Sequence, residues 1–128
     1  MPNSFHPSQP IYYQLAERIK HQIIRGDLAP GSKLPSVREM GLQSNVNPNT
    51  VQRTYRELEG MKIVESKRGQ GTFVTEDELV LTDMREQLKR QEISQFVASM
   101  YEMGYRNQEI LHGLSAYLTE EKGEAYDD

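Results

Sequence analysis

The sequence predicts a mainly α-helical protein with one small β-hairpin: an N-terminal winged helix-turn-helix domain followed by a C-terminal region of two helices. Two observations lead to this fold class, and a third excludes a disulfide-dependent one. Residues 10–75 contain three helical patterns followed by two β-prone runs around a glycine-rich turn. Residues 82–121 contain two further patterns of apolar residues at helical spacing. The chain of 128 residues lacks cysteine, which excludes a disulfide scaffold and thiolate metal sites.

The first helix is predicted to start at Pro10, because proline suits the first helical turn. Gly26 is placed to end it, since glycine readily adopts the left-handed conformation that follows many helices. Between these residues the apolar side chains recur at every fourth position, at Leu15, Ile19 and Ile23.

The second helix is predicted to start at Ser36, which has the capping-box spacing with Glu39. In this motif the serine oxygen accepts from the backbone N–H three residues on, and the glutamate reaches back to the serine N–H. A turn is expected at Ser44-Asn45, because asparagine tolerates a positive φ. Three apolar residues are expected to face inward: Val37, Met40 and Leu42.

The third helix is predicted to start with Asn47 as its cap and Pro48 as its first helical residue. An apolar stripe follows at Val51, Tyr55 and Leu58. The β-prone runs 63–66 and 72–75 then flank the segment Lys67-Arg68-Gly69-Gln70-Gly71, and this arrangement predicts a hairpin with a cationic tip.

The side of the third helix opposite its apolar stripe carries hydrogen-bonding and cationic residues. In a helix-turn-helix the second helix of the motif enters the major groove, where arginine can bind guanine and asparagine or glutamine can bind adenine. Asn49, Thr50 and Arg53 are therefore candidates for contacts with bases or phosphates. Gln52 and Arg56 are candidates for contacts with the DNA backbone.

Further candidate DNA contacts lie outside the third helix. Ser36 begins a helix whose free amides favour a phosphate, and Arg38 follows close behind. Lys67 and Arg68 suit the minor groove or phosphates, and Gly69 and Gly71 permit the tight turn between them and the next strand.

The charge distribution supports a division of the chain into two parts. The net charge is −4, but residues 1–75 hold ten Lys and Arg against six Asp and Glu, which gives +4. Residues 76–128 hold five against thirteen, which gives −8. A basic half and an acidic half suggest different roles, the first of them in binding nucleic acid.

Three stretches of this chain, LPSVREM, NVNPNTVQRTYRELE and ESKRGQGTFV, resemble the DNA-binding domain of GntR-family bacterial transcription regulators. The resemblance covers about residues 10–75. It implies a winged helix-turn-helix fold and DNA contacts at eight residues: Arg38, Asn47, Asn49, Thr50, Arg53, Arg68, Gly69 and Gln70. Here Met40-Gly41 replaces the Leu-Ala that is usual in the family, and Gly41 is expected to weaken the short second helix.

The short C-terminal region resembles that of the YtrA-type subfamily, which implies a homodimer that represses a transporter operon. The residues agree, because two amphipathic helices enclose little space alone and their apolar face needs a partner surface. The alternative is that these helices fold back on their own winged domain. The residues predicted to form the dimer are Leu88, Phe96, Val97, Met100, Tyr101, Ile110, Leu111, Leu114 and Leu118.

These predictions divide the chain into five parts. Thr82 is expected to cap a helix that runs to about Glu102, and a shorter helix starts near Asn107. The parts are a flexible arm (1–9), the winged domain (10–75), a linker (76–81), the helical dimerisation region (82–121) and a frayed acidic tail (122–128).

No enzymatic chemistry, cofactor or metal is expected, because the three histidines are scattered without metal-ligand spacing. The Tyr12-Tyr13 pair is interpreted as helix packing. Apolar runs too short for a bilayer and the lack of a signal pattern predict a cytoplasmic protein without a membrane partner. The expected partners are double-stranded DNA with a pseudo-palindromic operator, a second copy of the chain, and an unidentified small-molecule effector.

Two other functions remain open. One is a winged-helix module that binds protein rather than DNA. The other is a small-molecule sensor in which tyrosines of the C-terminal region line a cavity between subunits.

Overall fold

Five α-helices and two antiparallel strands make up the part of the chain that the computed structural model describes, residues 5–121. They confirm the predicted fold class. The order is α1 (Ile11–Arg25), α2 (Val37–Ser44), α3 (Pro48–Gly60), β1 (Val64–Lys67), β2 (Gly71–Val74), α4 (Glu78–Glu102) and α5 (Asn107–Ala116), with a π-helical turn at Tyr117–Glu121. The chain forms two units, divided between Arg85 and Glu86.

The core of the first unit forms around α3, which packs against α1, α2 and β1. The predicted apolar positions of α1 and α3 are buried, which confirms their helical periodicity. Gly26 ends α1 with a φ of 94°, as expected of a left-handed cap. The largest fully buried side chains are Leu15, Ile19, Leu34, Leu58, Val51, Val64, Val74 and Thr54.

Residues 6–9 of the predicted arm are connected to α1 by hydrogen bonds. The Gln14 side chain accepts a hydrogen bond from the His6 amide at 2.8 Å. It also donates to the carbonyl oxygens of His6 at 2.7 Å and Gln9 at 2.9 Å. A buried amide on the first turn of α1 therefore holds this segment. Residues 1–4 of the predicted arm, and the predicted tail 122–128, lie outside the described residues.

Both predicted helix caps of the helix-turn-helix are present, but one residue of α2 does not face inward as predicted. Leu42 is 79% exposed. The inward positions of α2 are 37, 40, 41 and 44, of which Val37 is half-buried and Met40, Gly41 and Ser44 are buried. This spacing is that of one helical face, and position 42 lies outside it. Asn45 then makes the predicted turn, with a φ of 56°.

The hairpin pairs Val64 with Val74 and Lys67 with Gly71, so the strands begin and end one residue away from the predicted bounds. The segment before α2 extends this sheet. The Leu34 amide donates to the Thr72 carbonyl, and the Val74 amide donates to the Ser32 carbonyl, both at 2.8 Å. β2 is therefore hydrogen-bonded on both edges.

The predicted linker 76–81 is wrong from residue 78 onward, where α4 already begins. Asp77 rather than Thr82 caps this helix, because the Asp77 Oδ1 accepts from the amides of Leu79 at 2.9 Å and Val80 at 3.4 Å. Thr82 lies inside α4.

The second unit holds the rest of α4, α5 and the π-helical turn. Gly104 lies in the turn between α4 and α5 and has a φ of 91°. Asn107 begins α5 as predicted. Of the residues predicted to form a dimer, Leu88 and Ile110 are buried within the single chain, and Val97 and Met100 are half-buried. The others are exposed: Phe96, Tyr101, Leu111, Leu114 and Leu118.

Candidate nucleic-acid interface

The polar face of α3 lies on its solvent side. Asn47 caps the helix, and its Oδ1 accepts from the Asn49 amide at 2.8 Å, which leaves the Asn47 side-chain NH₂ group without a partner among residues 5–121. The inward side carries Val51, Thr54, Tyr55 and Leu58. The predicted contacts lie on the other side, with Asn49, Gln52, Arg53 and Arg56 exposed and Thr50 half-buried.

Arg53 stacks on an aromatic ring. Its guanidinium carbon lies 3.7 Å from the centroid of the Tyr12 ring, which comes from the first turn of α1. This corrects the interpretation of Tyr12 as simple helix packing. Within residues 5–121 the Arg53 guanidinium makes neither a hydrogen bond nor an ion pair, so its N–H edge is free for a planar acceptor.

Two long-range hydrogen bonds fix α3 in the first unit. The Thr54 hydroxyl, fully buried, shares its one hydrogen between the carbonyl oxygens of Tyr12 at 3.2 Å and Thr50 at 3.0 Å. The Tyr55 hydroxyl donates to the Pro35 carbonyl at 2.7 Å. Burial and the nearby Glu39 charge raise the pKa of Tyr55 above its usual range, so this phenol stays a donor.

The N-terminus of α2 is already occupied by its own carboxylate. The Glu39 side chain accepts from the Ser36 amide at 2.9 Å, and Ser36 Oγ accepts from the Glu39 amide at 3.1 Å. A phosphate at Ser36 would therefore meet a negative charge, and Ser36 itself would offer it only the serine hydroxyl as a donor. Arg38 points away from the core and is exposed, so it offers the stronger contact on this helix.

The tip of the hairpin is a three-residue loop, Arg68-Gly69-Gln70, in which the Gln70 amide donates to the Lys67 carbonyl at 2.8 Å. Gly69 has a φ of 74°, and the following Gly71 has a φ of 124°, so both predicted glycines are used for the turn. Lys67 stacks its ammonium over the Phe73 ring at 4.7 Å. All three loop residues are exposed.

Sequence reasoning missed Lys33 as a residue of the hairpin surface. Lys33 pairs with Phe73 through a β-bridge, and a Cβ added at Gly71 would lie 2.6 Å from Lys33 Cε. Its ammonium therefore adds a third cation to the hairpin, beside the Lys67 ammonium and the Arg68 guanidinium. No local pattern indicates this position, because Lys33 lies between a turn and a helix cap and is brought to the sheet by tertiary pairing.

The described residues also bear on metal sites, membrane-spanning helices and cavities. Residues 5–121 contain no group of three His, Asp or Glu side chains placed to hold a metal ion. None of the helices described is long and apolar enough to cross a membrane. A surface cavity of about 370 Å³ lies between α1 and α2, and one of similar size lies beside the hairpin.

The comparison with protein families matches residues 11–74 to the model of bacterial regulatory proteins, gntR family. The chain is 46% identical over 117 residues to the uncharacterized HTH-type transcriptional regulator YhcF of Bacillus subtilis (strain 168), covering 91% of this chain and 97% of YhcF. It is 43% identical over 89 residues to the HTH-type transcriptional repressor YtrA of the same organism, covering 65% and 68%. The relatives are thus transcriptional regulators, not enzymes.

Solved structures give the same fold. A GntR family transcriptional regulator from Listeria monocytogenes superposes with a TM-score of 0.81 at 34% identity, over 87% of this chain and 97% of that one. The DNA-binding domain of AraR in complex with operator ORR3 superposes with a TM-score of 0.51 at 29% identity, over 59% of this chain and 88% of that one. The winged helix-turn-helix predicted from the sequence is confirmed.

Proposed function

The chain belongs to the GntR family of bacterial regulatory proteins, which are DNA-binding transcriptional regulators, and we propose that it is a homodimeric repressor that binds an inverted-repeat operator. Its sequence-specific contacts would come from α3, and its dimer from the second unit. It would act in the cytoplasm on a transporter-type operon.

The exposed polar face of α3 carries this proposal. Arginine and asparagine recognise guanine and adenine by paired hydrogen bonds, which requires hydrogen-bonding groups that are not already paired within their own protein. Arg53 and Asn49 meet this condition among residues 5–121. The AraR domain, which has a similar fold, was crystallised with its operator, and that supports the same use of this surface.

We assign a role to each candidate contact from its position in the fold. Asn49, Thr50 and Arg53 on the first turns of α3 would read bases or the adjacent phosphates. Gln52 and Arg56 would contact the DNA backbone. Further backbone contacts would come from the cap and the hairpin: Ser36, Arg38, Asn47, Lys67, Arg68, Gly69, Gln70 and Gly71. Contacts with the DNA backbone position the protein on the duplex and make binding sensitive to salt.

Apolar surface that the single chain leaves uncovered supports the proposed dimer. In the second unit Leu111 is 66% exposed, Leu118 51% and Leu114 41%. Several large exposed apolar residues on a short two-helix unit are typical of a protein–protein contact. A second copy related by two-fold symmetry would cover this surface and would place two α3 helices in successive major grooves, about 34 Å apart.

Repression is supported by the relative YtrA, which is named a transcriptional repressor. The transporter operon is supported by the resemblance of the short C-terminal region to the YtrA-type subfamily. An effector that binds one arrangement of the dimer better than another would shift its affinity for DNA.

The decisive experiment is selection of binding sites from a pool of random duplexes at near-physiological salt. An inverted repeat with half-sites about one helical turn apart is expected. An Arg53→Ala variant should then lose discrimination at one position of each half-site, about 1–3 kcal/mol. Arg25→Ala is the matched control, because Arg25 is an exposed arginine of the first unit that pairs with Asp27.

The opposite outcome is also informative. If the pool yields only sequence-blind binding, and Arg53→Ala binds as wild type does, base readout by α3 is refuted and the exposed helix would have to serve a protein partner. The oligomeric state is measured separately, by sedimentation.

A further inference from the structure

The Tyr12–Arg53 pair joins the first turn of α1 to the polar face of α3. The carbon of the Arg53 guanidinium lies over the Tyr12 ring, 3.7 Å from its centroid. Cations within about 6 Å of an aromatic centroid are attracted by the ring quadrupole. Arg53 is exposed and Tyr12 is half-buried, so the ring supports the arginine from below while solvent reaches its other side.

The ring is itself held in place. The carbonyl oxygen of Tyr12 accepts from the buried hydroxyl of Thr54, the residue that follows Arg53. Two residues further along α1, the Gln14 side chain fixes the chain that leads into the helix. The hydrogen bond between Thr54 and the Tyr12 carbonyl therefore connects α3 to α1 directly beside the stacked pair.

This stacking restricts the motion of the Arg53 side chain and leaves its N–H groups available as hydrogen-bond donors. Stacking uses one face of the guanidinium, whereas bidentate binding of guanine or phosphate uses its N–H edge. A free arginine side chain has several rotatable bonds and loses rotational freedom when it binds. A side chain already held against a ring has less freedom to lose.

From these contacts we infer that Tyr12 is a positioning residue, which holds the Arg53 guanidinium in the orientation used to bind DNA. This inference rests on the proposed function of α3. It assigns a role in DNA recognition to a residue of α1, outside the helix-turn-helix and outside the hairpin. Phenylalanine at position 12 would serve as well, because the ring face and not the hydroxyl makes the contact.

The test is a double-mutant cycle of Tyr12→Leu and Arg53→Ala, measured on a duplex that carries the selected inverted repeat and on a scrambled duplex of the same composition. Tyr12→Leu is expected to weaken binding to the repeat by about two- to fivefold, the range of an exposed cation–π contact. In the Arg53→Ala background it should have no further effect. Tyr12→Phe should bind as wild type does.

Two controls separate positioning from a general loss of structure. Tyr13→Leu changes the neighbouring, more exposed tyrosine of the same helix turn and should leave affinity unchanged. In the free protein, the NMR signals of the Arg53 δ-protons should carry the upfield shift that an aromatic face produces. That shift should be lost in Tyr12→Leu and kept in Tyr12→Phe.

The possible failures are distinguishable. If Arg53→Ala itself leaves specificity unchanged, the proposed function of α3 fails. If Arg53→Ala matters but Tyr12→Leu has an equal effect with and without Arg53, then Tyr12 acts through the fold and the inference is overturned. The inference is likewise overturned if the ring-induced shift is absent in the free wild-type protein.

Discussion

The Glu39 carboxylate accepts a hydrogen bond from the Ser36 backbone amide at 2.9 Å, at the first turn of α2, the helix that precedes α3. The reciprocal bond, from the Glu39 amide to Ser36 Oγ, completes a capping box. The bond from the Ser36 amide is the main reason that the pKa of Glu39 lies below its ordinary value of 4.5, with smaller help from the Ser36 side chain and from the charge of Lys33.

The capping box predicts a pH-dependent stability. Because the pKa of Glu39 is lowered on folding, its contribution is present above about pH 4.5 and is lost as the pH falls through the folded value. Glu39→Gln keeps a side-chain acceptor but does not titrate. The difference in Tm between wild type and Glu39→Gln should therefore be constant from neutral pH to about pH 5 and should shrink below that. A difference that stays constant to strongly acidic pH would contradict this.

The hairpin glycines predict unequal costs of substitution. Gly71 has a φ of 124°, where side chains are strained; a new Cβ would lie 2.6 Å from Lys33 Cε, but this flexible end of the lysine can move aside, so the backbone conformation sets the cost. Gly69 has a φ of 74° and open space around it. Gly71→Ala should cost about 2–3 kcal/mol of unfolding free energy and Gly69→Ala about 1 kcal/mol, as measured by urea denaturation. Equal costs would mean that the loop relaxes freely.

Tyr55 predicts a stability effect from a single hydroxyl. Tyr55→Phe keeps the buried ring but removes the donor to the Pro35 carbonyl. The expected loss is about 1–2 kcal/mol, because a carbonyl oxygen at this part-buried site loses its partner. Urea denaturation should show a lower midpoint with an unchanged m-value. Tyr13→Phe, at an exposed position, is the matched control and should be neutral.

The hairpin loop predicts a change in salt dependence. Arg68 is exposed and, among residues 5–121, its side chain has no partner. If it contacts a phosphate, Arg68→Ala should lower the slope of log affinity against log salt by about 0.9. The loss should be equal on the selected repeat and on a scrambled duplex. A loss confined to the repeat would instead mean that Arg68 reads a base.

The features that could be predicted from the sequence are those with a local cause. Ser36 with Glu39, Asn47 with Pro48, and Gly26 each sit at the helix end that their chemistry favours, and the structure has the caps there. Local signals fail where two residues could serve equally. Asp77 and Thr82 are both good caps, and the earlier one is used, with its own amide bonded to Thr75 Oγ1.

The contacts that refine the candidate interface have no local cause. Thr54 and Tyr12 are 42 residues apart, and their hydrogen bond exists only once α1 packs against α3. The same packing brings the Tyr12 ring to Arg53. Periodicity predicted which face of α3 is polar, but the partners on that face required the tertiary structure. At Leu42 the sequence misled in another way. This residue is predicted to face inward because it is apolar, but its position lies outside the buried face of α2.

The exposed apolar surface of the second unit predicts the behaviour of a charged variant. Leu114 is 41% exposed on α5, and Leu118 lies one turn further along the chain. If a second copy covers them, Leu114→Asp would bury a carboxylate and should convert the dimer to a monomer in sedimentation equilibrium. Leu42→Asp is the control, because Leu42 is 79% exposed in the first unit and should leave the dimer intact.

The Leu114→Asp monomer should also bind the inverted repeat no more tightly than a single half-site, since two α3 helices bind cooperatively only when they are joined in one dimer. A Leu114→Asp protein that remains dimeric would place the dimer contact elsewhere than on this face of α5.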